Sequence, residues 1–109
     1  MRDRKQYRQG DVLITRVRAI PKGADPKARD AGRVVLAYGE VTGHAHAIMD
    51  TAATLFSLLD DQREELFLEV DGTVTLRHEE HAPVEIPAGK YRVTHQREYT
   101  PAEIRRVAD

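Results

Sequence analysis

Glu65-Leu66-Phe67-Leu68-Glu69-Val70-Asp71-Gly72-Thr73-Val74-Thr75-Leu76-Arg77-His78 is the stretch whose pattern decides the fold class. Successive side chains of a strand point to opposite faces. Leu66, Leu68 and Val70 therefore share one side, with Phe67 and Glu69 on the other, and after the break Val74, Leu76 and His78 line up again. Asp-Gly between two alternating runs is the strongest short hairpin signal. It predicts two antiparallel strands turning at Asp71-Gly72.

Working outward, Asp60-Asp61-Gln62-Arg63-Glu64 is a polar loop. Within Thr51 to Leu59, Ala52, Leu55, Phe56 and Leu59 fit a helical stripe and Thr54 to Leu59 also fits a strand. The shortness of the segment and its β-rich neighbours favour the strand. Arg33 to Tyr38 is a strand centred on Val34, Val35 and Leu36; Gly39 ends it, and Glu40-Val41-Thr42-Gly43 turns into a further strand, His44-Ala45-His46-Ala47-Ile48. Val12 to Ile20 is β-branched enough for another strand, opened by the turn-forming Gln9-Gly10-Asp11 and closed by Pro21. Pro21 to Gly32 lacks periodicity and reads as an exposed loop, compatible with one helical turn at Pro26 to Arg29. Downstream come the short apolar pair Val84/Ile86 and a strand from Lys90 to Gln96 carrying Tyr91, Val93 and His95 on one side. Thr100-Pro101-Ala102-Glu103 has the form of a capping box, predicting a short C-terminal helix over Pro101 to Ala108. Seven or eight short strands between Gly, Pro and Asp turns make an all-β chain. The expected organisation is a flexible N-terminal arm over residues 1–9 and one small β-barrel or sandwich domain over residues 10–109.

At 109 residues the chain is one domain's worth of sequence. Hydrophobic residues make up 40% and charged residues 32%, an ordinary globular composition. The apolar runs are too short to cross a bilayer, and the basic Met1-Arg2-Asp3-Arg4-Lys5 leads into polar residues rather than the apolar core of a signal peptide. With no cysteine, disulfides, thiolate nucleophiles and Cys-bearing zinc fingers are excluded, and a cytoplasmic location is the expectation. A net charge of −1 with interleaved signs disfavours nucleic acid as a partner. No Gly-rich phosphate loop followed by Lys-Ser or Lys-Thr occurs, which argues against nucleotide hydrolysis of that kind. A single small barrel with an edge to cover suggests a homodimer.

Histidine is where the chemistry gathers. All five histidines lie at positions 44, 46, 78, 81 and 95. The neutral imidazole is the commonest side-chain ligand for transition metals. His44 and His46, two apart on a strand, can aim at one point. His78 and His81 would face opposite ways on a regular strand, but a bend at Glu79-Glu80 turns both to one centre, and Pro83 marks the strand's end nearby. His95 ends an apolar face. His-Glu-Glu-His is not the zinc-protease helix motif, which needs histidines four apart on a helix. All five, His44, His46, His78, His81 and His95, are candidate metal ligands. Imidazole donors suit a divalent transition metal (Zn, Fe, Ni, Cu or Mn) rather than magnesium or calcium. Glu79, Glu80 and Glu98 are candidate general bases, with Asp50 a further candidate for a fourth ligand or partner to a ring N–H.

Gly39-x4-His44-x-His46-x3-Asp50, with Pro87-Ala88-Gly89 ahead of His95, resembles the two cupin motifs over residues 39–99. That resemblance implies a small β-barrel with His44, His46 and His95 as metal ligands and Asp50 as the acidic fourth. The sequence departs from the pattern in having Asp for Glu, in the placement of His95, and in the additional His78 and His81. Gly-Glu-Val-Thr-Gly-His-Ala-His, with His-Glu-Glu-His and Gln96-Arg97-Glu98-Tyr99, is also similar to a family of small uncharacterised bacterial and phage proteins, which implies no activity. Two functions follow as expectations. One is a metal-binding β-barrel, extending to a metal-dependent enzyme acting on a small molecule. The other is a non-catalytic accessory module that engages a protein or nucleic acid. A third option is a pH-responsive module, because five histidines change the charge between about pH 7 and 5.

Overall fold

A computed structural model describes residues 5–39 and 41–95. Among these residues ten strands run in chain order: β1 (Gln6–Gln9), β2 (Val12–Arg16), β3 (Asp25–Pro26), β4 (Val34–Tyr38), β5 (Ala45–Ile48), β6 (Ala53–Asp60), β7 (Arg63–Val70), β8 (Val74–Arg77), β9 (Val84–Ile86) and β10 (Gly89–His95). They form two antiparallel sheets, β1-β2-β10-β7-β6-β3 and β4-β5-β8-β9. The all-β expectation holds, and of its two forms the structure is the open sandwich, not a closed barrel. Among the described residues no helix is long and apolar enough to cross a membrane.

The alternation read from the sequence builds the core. Ile14, Leu36, Ile48, Leu68, Leu76, Ile86 and Tyr91 are fully buried between the sheets, with Val12, Val34, Val70, Val74 and Val93 beside them. The segment that fits both helix and strand is strand β6, because pairing along its whole length with β7 places Ala53 and Leu55 inside. β6 and β7 meet through the two-residue connection Asp61-Gln62, tighter than the five-residue polar loop of the sequence, with Asp61 at φ 56°.

Three expectations are corrected. Asp71-Gly72 is not a hairpin turn: β7 pairs with β6 and β10, while β8 pairs with β5 and β9 in the other sheet. The chain crosses between layers there, taking Val70 and Val74 into the core from opposite sheets, and the Asp71 N–H binds the Ala52 carbonyl at 2.9 Å. Gly72 does not adopt the positive φ of a primed turn. Second, Gln6–Gln9 is not part of a loose arm. It is paired with β2 and buries Tyr7 and Gln9, whose alternation over four residues is too short to stand out from a polar N-terminus. Third, Pro26 to Arg29 forms no helical turn; Asp25–Pro26 adds a short strand to β6. Glu98 and the expected helix over 101–108 lie outside the described residues.

Candidate metal centre

β1 and β2 meet at a two-residue connection, Gly10-Asp11, with Gly10 at φ 59° in the place where a hairpin turn needs positive φ. This tip lies against the end of β5 and the segment after β8. A Cβ on Gly10 would stand 2.8 Å from His81 Nε2 and 3.1 Å from His46 Cε1. β5 holds His46 at 4% exposure, on the face that carries Ile48 into the core. β8 ends at Arg77, and the bend over residues 78–81 brings His78 and His81 round to the same centre. Ring centroids are 4.3 Å apart for His46–His78, 4.7 Å for His78–His81 and 5.7 Å for His46–His81. One ligand nitrogen from each lies within 4.8 Å of the others. Tetrahedral zinc at its usual bond lengths separates ligand nitrogens by roughly 3.4 Å, so small side-chain rotations close the set.

Hydrogen bonds decide which nitrogen of His46 is presented. The buried Gln9 amide donates through Nε2 to the Leu76 and Ala82 carbonyls, both at 2.9 Å. Its oxygen therefore faces His46 Nδ1, 2.9 Å away, as an acceptor. His46 must carry its proton on Nδ1 and present the lone pair of Nε2. Burial, reinforced by His78 and opposed by Asp11, pushes the His46 pKa down from 6.5 to about 4, so the ring is neutral at pH 7. Asp11 Oδ1 stands 3.6 Å from His46 Nε2. A lone pair and a carboxylate oxygen thus face each other, an arrangement that a cation between them satisfies.

The remaining groups are ordered around this centre. His78 Nδ1 accepts the Glu80 N–H at 3.0 Å, so its neutral ring holds the proton on Nε2. Binding a cation at either nitrogen of that ring gives up this bond. His44 lies 5.8 Å from His78, ring to ring, and its Nδ1 is 3.1 Å from Glu80 Oε2. Glu79 Oε1 accepts the Ala45 N–H at 2.9 Å, which holds its carboxyl below the ordinary value. His44, His78 and Glu79 make a second group whose ligand atoms lie within 4.8 Å of one another.

Four of the five histidines thus come together. His95 belongs to neither group: its Nε2 lies 3.2 Å from the carbonyl of Leu36, the extra residue at the β4 bulge opposite β5. A surface cavity of about 560 Å³ against β7 and β10 reaches His95 but none of the other four. Asp50 sits on the turn after β5, where Oδ1 accepts the Thr75 N–H at 3.3 Å. The trio His44, His46 and His95 implied by the cupin resemblance is therefore not the trio the fold assembles. Gln9 and Asp11 do not stand out in the sequence, because their segment has the pattern of an arm and a turn; a Gly-Asp pair at a hairpin tip is the one signal it carries.

No curated protein and no solved structure matches the chain. The model of one family, described as a domain of unknown function (DUF8820), matches residues 8–96, and the chain belongs to that family.

Proposed function

We propose that the protein binds one divalent transition metal through His46, His78 and His81, with the Asp11 carboxylate as the fourth donor. The observation that carries this reading is the Gln9 clamp. It fixes a buried, neutral imidazole that keeps Nε2 for a ligand, 3.6 Å from the Asp11 carboxylate and grouped with two further imidazoles whose ligand atoms lie within 4.8 Å, the pattern in which an outer hydrogen bond sets the tautomer of a metal-binding histidine. Three imidazoles and one carboxylate suit zinc, ferrous iron, nickel or copper better than magnesium or calcium. His81 and Asp11 are exposed, so the metal would face solvent on that side. An ion so placed can polarise a bound water or a small molecule, with Glu79 and Glu80 as nearby bases.

The test is titration of chelator-stripped protein with Co²⁺ and Zn²⁺, followed by calorimetry and the cobalt d–d bands. One metal per chain is expected. His81→Ala should weaken binding about a hundredfold, and His95→Ala should leave it unchanged, since His95 bonds to the Leu36 carbonyl instead. Stripped wild-type protein that binds neither ion would end the proposal.

A further inference from the structure

We infer that the cluster contains a second, overlapping cation position formed by His44, His78 and Glu79, which competes with the inner position for His78. This rests on the metal-binding reading above. Both outer donors are held as ligands are held. Ionised Glu80 can only accept, so His44 keeps its proton on Nδ1 toward Glu80 Oε2, 3.1 Å away, and presents Nε2. Glu79 is anchored by the Ala45 N–H on Oε1 and by its own backbone N–H, and a carboxylate with about four lone-pair sites keeps capacity for a cation. The His78 ring lies 4.3 Å from His46 and 5.8 Å from His44, and it belongs to both groups.

A neutral imidazole offers one lone pair. His78 therefore serves one ion at a time, and the two positions are alternatives rather than a two-metal centre. The inner position has buried His46 as its anchor, whereas none of the outer donors is buried. The inner position binds more tightly, and the outer one takes the ion when the inner one is damaged.

The experiment is a cycle of Co²⁺ titrations on wild type, His44→Ala, His81→Ala and the double variant, each first checked for folding by circular dichroism. Wild type binds one ion, and His44→Ala changes its affinity less than threefold. His81→Ala retains one ion at about hundredfold weaker affinity, with altered d–d bands. In that background His44→Ala weakens binding at least tenfold further. Equal effects of His44→Ala in both backgrounds would overturn the inference by making His44 part of one common site. So would no effect in the His81→Ala background, or two ions bound by wild type. Each of those results leaves metal binding by the cluster standing while changing its ligand set or stoichiometry; an empty wild type removes it.

Discussion

Gln9 is the residue at which fold and site can be pulled apart. Gln9→Leu keeps the bulk but deletes an acceptor and two donors, removing the partner that Gln9 supplies to the His46 Nδ1–H and to the Leu76 and Ala82 carbonyls. Ala82 is exposed and water can serve its carbonyl. Leu76 and His46 are buried. At about 1–3 kcal/mol for each of the two buried groups that loses this partner, the loss is roughly 2–6 kcal/mol. Without the clamp the His46 ring is free to present either nitrogen, and metal affinity should fall about 10–100-fold. Gln9→Glu separates the two effects. Its carboxylate still accepts from Nδ1, preserving the presentation of Nε2, yet it opposes both carbonyls and must lower stability. Urea unfolding in chelator reads the first quantity and metal titration the second, while ¹⁵N shifts of the imidazole report the tautomer directly. The expectation is Nδ1–H for His46 in the metal-free wild type, with affinity kept in Gln9→Glu and lost in Gln9→Leu. A proton found on Nε2, or wild-type affinity in Gln9→Leu, would refute the reasoning.

Gly10→Ala puts a Cβ 2.8 Å from His81 Nε2 at φ 59°; the backbone conformation costs about 1–2 kcal/mol, and the displaced His81 ring should weaken metal binding at least tenfold. Gly32→Ala, at φ 80° with nothing within 4 Å, is the control, and it should lose stability alone; equal metal affinities in the two variants would contradict the packing argument. The metal-free protein should also lose stability in acid. Burial lowers the folded-state pKa of His46 from 6.5 to about 4, so the unfolded chain takes the proton first. The stabilisation is complete above about pH 6.5 and is lost as pH falls from about 6.5 to 4, roughly 3 kcal/mol in all. Urea midpoints at both ends of that window should converge for His46→Asn relative to wild type; an equal decline in both would exclude His46 as the source.

The β class was legible because burial on one face imposes a period of two, and Leu66, Leu68, Val70, Val74 and Leu76 keep it. What period cannot say is which sheet a strand joins. Asp71-Gly72 shows this: the local signal for a hairpin is genuine, but β7 already has β6 and β10 as neighbours, so β8 has no free edge of β7 to pair with. The bend after β8 was readable from Glu79-Glu80 and Pro83, and it brings His78 and His81 to one centre. Which donors complete the set was not readable, since Gln9 and Asp11 are 35 or more positions from His46 and reach it only through pairing of β1 with β2 and the packing of that hairpin tip on the second sheet.

The identity of residue 9 follows from that packing. Three partners converge on it, two carbonyls and one ring N–H, and they require two donors and one acceptor on a short uncharged side chain. An amide meets the demand; a carboxylate lacks the donors and an ammonium lacks the acceptor. The same amide therefore ties β1 to β8 and sets the histidine tautomer, so the second cannot be arranged without the first. An ion held between Asp11 on the hairpin tip and His46, His78 and His81 on the other sheet spans the same seam. Binding it must stabilise the closed sandwich by mass action, about 4 kcal/mol at a free-metal concentration a thousand times the Kd. The protection should fall first on the amides of β1, the edge strand that the hairpin tip anchors.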